Sequence, residues 1–172
     1  MKTKIKIIYS NYYLDEITSK MLDICKKKLK DSQIDYDFSE VPGSFEIPFE
    51  IARSIKEDTK DNEKQLGTFE GKDKKKIRDN ILQISKLSQL NLNKQPKYAG
   101  YLALGCIIKG KTINHKAIST SIFTNLQRIS IENIIPIGNG IFNANNMQEA
   151  KNKLDKCTQH AVETLLMLLI KK

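Results

Sequence analysis

The sequence predicts an α/β fold, a three-layer αβα sandwich built on a doubly wound, parallel, four-stranded sheet. Three observations point there. Short β-branched or alternating runs take turns with stretches of helical period. The run over residues 98–108 is nearly continuous in apolar residues, as a central parallel strand buried on both faces requires. Strands that alternate with crossover helices pair in parallel and carry helices on both faces.

Taken in order, Ile5, Ile7 and Ile8 mark the first strand. Ile17, Met21, Ile24, Cys25 and Leu29 then recur at helical spacing as far as a lysine-rich end, where cations suit the helix dipole. Ile34, Tyr36 and Phe38 alternate as a second strand. A helix is expected from near Ser44, with Pro48 in its first turn and Phe45, Phe49, Ala52 and Ile55 buried. Beyond Lys56 the composition turns to Lys, Asp, Asn and Gln, with Gly67 and Gly71 marking a break and Pro96 the return to the core. Ile77, Ile81, Ile84 and Leu87 keep a helical period, so residues 56–96 are expected to form a surface insertion of a loop plus one amphipathic helix. The third strand covers 98–108; Ile118, Ile122, Leu126 and Ile129 mark the next helix, and a fourth strand covers 134–142. Two closing helices are expected, over about 146–153 and 158–171.

A chain of 172 residues that is 40% hydrophobic suits one domain, 1–172, around one core. Its formal charge of +9 raises the question of nucleic acid, but no lysine run is interleaved with aromatics and no finger, winged-helix or RNP-type motif occurs. Residues 53–97 hold twelve Lys or Arg against seven Asp or Glu, so over half of the excess lies in one solvated segment. Cys25, Cys106 and Cys157 show no paired spacing, which predicts reduced thiols and a cytoplasmic location. Lys2, Lys4 and Lys6 interrupt the apolar start, unlike a secretory signal, and the late apolar run at 165–170 is too short to span a bilayer. Neither nucleic acid nor membrane is an expected partner.

Two stretches carry the chemistry. Val41-Pro42-Gly43-Ser44-Phe45-Glu46-Ile47-Pro48 and Leu102-Ala103-Leu104-Gly105-Cys106-Ile107-Ile108-Lys109-Gly110-Lys111-Thr112 each run from a strand through a glycine turn into a helix. Their backbone amides can therefore face one small ligand at adjacent strand ends. The second stretch also satisfies the phosphate-loop pattern G-x-x-x-x-G-K-[ST]. A true phosphate loop curls its intervening residues into a nest, whereas Cys106, Ile107 and Ile108 favour continuing the strand. An NTPase also needs a strand-end acid for magnesium, and residues 134–142 contain none. The other reading ends the strand near Ile108 and holds a phosphate on the amides around Gly110, Lys111 and Thr112, with charge from Lys109 and Lys111 and no metal.

Together with Pro136-Ile137-Gly138-Asn139-Gly140-Ile141, these stretches resemble the lumazine synthase family, in the same order and over the whole chain apart from roughly 56–96. The resemblance implies a flavodoxin-like sandwich assembled as pentamers with sites shared between neighbouring subunits. It also implies a transferase of riboflavin synthesis that uses no cofactor. Such an enzyme condenses 5-amino-6-ribitylaminouracil with 3,4-dihydroxy-2-butanone 4-phosphate to dimethyl-ribityllumazine. By the same resemblance Tyr13, or Tyr12 if the turn differs, stacks the ring. Ser44, Phe45 and Glu46 take the ribityl chain. Cys106, Ile107 and Ile108 meet the pyrimidine edge through their backbone, Asn139 stands at a substrate position, and Gly110, Lys111, Thr112 and Lys153 hold the phosphate.

The chain departs from the family in places. The slot of the catalytic histidine holds Asn114, and the histidine follows at His115, a rotation of about 100° around a helix. Lys153 replaces an arginine, keeping charge but losing the bidentate fork. Asn139 replaces an aromatic or apolar residue. Thr158-Gln159-His160 stands where the family has a glycine-rich segment, which favours a plain pentamer over a larger shell. Two rivals follow: a non-catalytic homologue that binds ribityl ligands or only assembles, and the phosphate-loop NTPase.

Overall fold

Ile5, Ile7 and Ile8 are fully buried in the first strand, β1 (Lys4–Ser10), because this strand has a neighbour on each side and a helical layer on each face. The computed structural model describes residues 3–64, 96–111 and 113–170. Contacts between Cα atoms divide the chain into one unit of residues 1–52 with 98–172 and a second of residues 53–97. Among the described residues the strands are β1, β2 (Asp35–Val41), β3 (Gly100–Ile108) and β4 (Ile137–Ala144). The helices are α1 (Ser19–Asp31), α2 (Ile47–Lys64), α3 (Asn114–Asn133) and α4 (Met147–Ile170). The expected helical period at Ile77 to Leu87 lies outside the described residues.

All three strand pairings are parallel, in the order β2-β1-β3-β4, so the doubly wound sheet is as the sequence predicts. Ile7 lies between Phe38 and Leu102, and Leu104 lies against Gly140. β3 is buried from Gly100 to Ile107, which accounts for its unbroken apolar run. On one face Ile5, Ile7, Leu102, Leu104 and Cys106 form the main core with Ile17, Met21, Cys25 and Leu29 of the first helical layer and with Leu154, Ala161 and Leu165 of α4. Gly138 lets α4 come this close, since a Cβ there would lie 2.6 Å from the Ala161 carbonyl oxygen.

Two expectations are corrected. Phe45 and Phe49 are 56% and 69% exposed, Ala52 is exposed and Ile55 only partly buried; Ile47 and Ile51 are buried instead. Both sets fit a helical period, and the inward set is chosen by Ser44, docked against Gly105, and by Glu50. That buried carboxylate accepts from Ser39 Oγ at 2.7 Å and pairs with Lys6 at 3.3 Å. The chain also closes with one helix, not two. No Gly or Pro interrupts residues 147–170, and the buried Thr158 hydroxyl donates to the Leu154 carbonyl at 2.6 Å and so stays within the helix. No helix of the described residues is long and apolar enough to cross a membrane.

Candidate functional site

At the carboxyl ends of the strands, where the chain leaves β1 toward one face and β2 toward the other, a cleft of about 440 Å³ opens. Pro42, Gly43 and the tight turn Ser44–Glu46 form one wall. Gly43 is extended, and the Glu46 N–H returns to its carbonyl at 3.3 Å, which closes the turn before α2 starts. Ser44 is buried and its hydroxyl donates to the Cys106 carbonyl at 3.5 Å. Only glycine allows that approach, because a Cβ on Gly105 would stand 2.4 Å from Ser44 Oγ. The Glu46 carboxylate folds back over its own turn, with Oε2 2.8 Å from where a Gly43 Cβ would be.

Cys106, Ile107 and Ile108 line the opposite wall. Burial, and to a smaller extent Cys157, pushes the Cys106 thiol up to about 12, against a small opposing effect of Lys153, so it is neutral near pH 7 and is no nucleophile. Tyr12 and Tyr13 close the cleft from the end of β1, their rings 4.8 Å apart and edge to face. The Tyr13 carbonyl accepts from Ile17 and Thr18 N–H, both at 3.0 Å, and anchors the start of the first helical layer. Its phenol is held above its ordinary pKa, first by burial and then by the neighbouring Tyr12, Cys106 and Glu16. Tyr12 is the more exposed ring of the two, at 70%.

The two glycine stretches therefore meet on one cleft. Ile118 of α3 joins them from the side. His115 is half-buried one turn before Ile118, on the same side of the helix, while Asn114 is exposed; neither lines the cleft. Gly110 and Lys111 are exposed between β3 and α3, and Thr112 lies outside the described residues. Ile113, the residue that precedes α3, gives no side-chain cap to the first-turn amides. Lys153 stands at the end of β4: its ammonium donates to the Asn143 carbonyl at 3.3 Å and pairs with Glu149. Asn139 is not brought to the cleft within this chain; it is exposed on β4 and its Oδ1 accepts from Ile141 N–H at 3.0 Å.

A phosphate loop is contradicted by the register. Gly105, Cys106, Ile107 and Ile108 pair with Ile141, Phe142, Asn143 and Ala144 as a regular ladder, and Lys109 N–H continues it to the Ala144 carbonyl at 2.8 Å. The strand stays extended through these residues and so curls into no nest; alternate amides face β4, while the register with β1 ends at Leu104. Pro42, Gly43 and Ile118 went unnamed as cleft residues in the sequence reading. The first two sit inside the quoted stretch, whereas Ile118 reads as ordinary helix core, and only its place one turn after His115 could have singled it out.

A profile of the 6,7-dimethyl-8-ribityllumazine synthase family matches residues 2–70 and 79–172. A protein named 6,7-dimethyl-8-ribityllumazine synthase from Buchnera aphidicola subsp. Baizongia pistaciae is 32% identical, over 83% of this chain and 65% of its own length. The chain thus spans just under two thirds of that relative. Proteins of the same name from Afipia carboxidovorans and Agrobacterium fabrum are 26% and 27% identical, over 98% and 99% of this chain and 86% and 96% of theirs.

Proposed function

We propose a reaction from one premise: the chain belongs to the 6,7-dimethyl-8-ribityllumazine synthase family. On that premise it condenses 5-amino-6-ribitylaminouracil with 3,4-dihydroxy-2-butanone 4-phosphate and releases phosphate and water, a step of riboflavin biosynthesis. The observation that carries this reading is the single cleft shared by residues 42–46 and 106–108. It offers aromatic rings at Tyr12 and Tyr13, a strand-end backbone, and a hydroxyl and a carboxylate at Ser44 and Glu46, the features that a ribityl-substituted pyrimidine requires.

In this account the pyrimidine stacks on Tyr13 with Tyr12 beside it, its edge meets the backbone of Cys106, Ile107 and Ile108, and Ser44, Phe45 and Glu46 take the sugar alcohol. The phosphate of the second substrate lies at Gly110, Lys111 and Thr112 with Lys153, where the start of α3 favours an anion. His115 carries protons between the amine, the ketone and the departing phosphate. Holding amine and ketone together supplies most of the acceleration, and the proton carrier adds about 10² to 10⁴.

The assembly follows from the same premise. Exposed Tyr12, Phe45, Phe49 and Ile113 give the side of the chain around the cleft an apolar character that a neighbouring copy would cover. A pentamer with sites at its interfaces, Asn139 supplied across one of them, is the assembly proposed. Residues 56–96 are read as an insertion in one domain, although the family match skips only residues 71–78 of that segment. Mixing the purified chain with both substrates should produce the absorbance of the lumazine product. A rate no greater than the spontaneous background would instead assign the cleft to a binding or assembly role.

A further inference from the structure

The phosphate role proposed for Lys153 is the ground for a second residue at that subsite. Glu149 sits in the first turn of α4, and the loop before the helix fixes its carboxylate. Asn145 donates to Oε2 through its backbone N–H at 2.8 Å and through its side-chain amide at 2.7 Å. In return the Glu149 N–H donates to Asn146 Oδ1 at 2.9 Å, so a reciprocal cap holds the acid without help from any cation. Oε1 is left over, and it takes the ammonium of Lys153 one turn further on. The same ammonium donates to the Asn143 carbonyl at 3.3 Å, and Asn143 pairs in register with Ile107 of the cleft.

We propose that Glu149 sets the anion affinity of this subsite. A phosphate that reaches Lys153 meets a cation already paired, and must share it with a carboxylate that repels the newcomer. Neutralising Glu149 has two opposed effects: Lys153 loses one tether, and phosphate loses a like charge. The Asn143 carbonyl still holds the ammonium, so the change in charge dominates and phosphate binds more tightly. Glu149 thereby trades phosphate affinity for easier release of the phosphate that the reaction sets free.

The test uses inorganic phosphate and the full chain. Glu149→Gln retains a carbonyl oxygen that can accept both Asn145 donors, so the cap survives, and a thermal melt checks the fold. By calorimetric titration its phosphate Kd should fall about two- to fivefold at low ionic strength, the size expected of an exposed ion pair, with the gain shrinking as salt is added. An unchanged or weaker affinity overturns the inference. Glu149→Ala, which removes the carboxylate together with the Asn145 contacts, should tighten phosphate binding in the same direction, because the charge is lost in both variants. Lys153→Met separates the two levels. If that change leaves phosphate affinity unaltered, the role proposed for Lys153 is wrong and this inference falls with it. If it weakens phosphate while Glu149→Gln does not tighten it, the inference alone is wrong.

Discussion

His115 is the residue proposed to carry the protons. Its place one turn before Ile118 puts a half-buried imidazole near the cleft, although the family slot holds Asn114. His115→Ala should lower kcat by about 10²-fold, the lower end of general acid-base help, while substrate binding changes little. An unchanged turnover rate removes the imidazole from the mechanism. Glu149 supplies a test in pH. Its carboxyl lies well below the ordinary 4.5, at about 2, first because of the Lys153 hydrogen bond and then those from Asn145. A carboxylate with a depressed folded-state pKa contributes stability above its unfolded pKa and loses it as pH falls through the folded value. The stability difference between the wild type and Glu149→Gln should therefore be constant above about pH 5 and shrink between about 4.5 and 2. A difference that persists undiminished at pH 2 would mean that the ion pair is not its source. Because the pair lies at the surface, with Glu149 only partly buried, added salt should reduce the effect.

Among the elements, α3 ends in a way that composition does not foretell. Ile134 adopts φ 51°, a left-handed conformation, as Ile135 N–H reaches back to the Ser130 carbonyl at 3.1 Å. A β-branched residue there is strained by about 1–2 kcal/mol, and the Ile134 side chain is 86% exposed, so little packing opposes its removal. Glycine relieves the strain but adds about 0.4–1 kcal/mol of unfolded-chain entropy, so Ile134→Gly should stabilise the chain by about 0.5–1 kcal/mol in denaturant titration. Destabilisation would show that the isoleucine makes contacts that this chain alone does not contain. The strands were legible because burial on both faces writes itself as an apolar run, as in β3. The phase of α2 was not, since Phe45 and Phe49 keep the same period as Ile47 and Ile51. What selects the inward set is a contact 62 residues away, Ser44 on β3, together with a salt bridge from Lys6 that spans 44.

At the scale of the whole molecule, the parallel order β2-β1-β3-β4 brings two distant stretches to one cleft, and this much of the site could be read from their glycine turns. The partners of Lys153 could not, because the register of β4 against β3 and the cap at Asn146 decide them. Nor could the separation of Asn139 from the cleft, which follows from the place of β4 at the edge of the sheet. A sedimentation measurement giving five copies would support the proposed assembly, whereas a monomer with full activity would contradict a shared site. The most direct test of the central claim is a crystal structure with a ribityl-substituted pyrimidine analogue bound. The account predicts the ring against Tyr12 or Tyr13 and the sugar alcohol on Ser44 to Glu46; a ligand seated elsewhere, with this cleft empty, would contradict it.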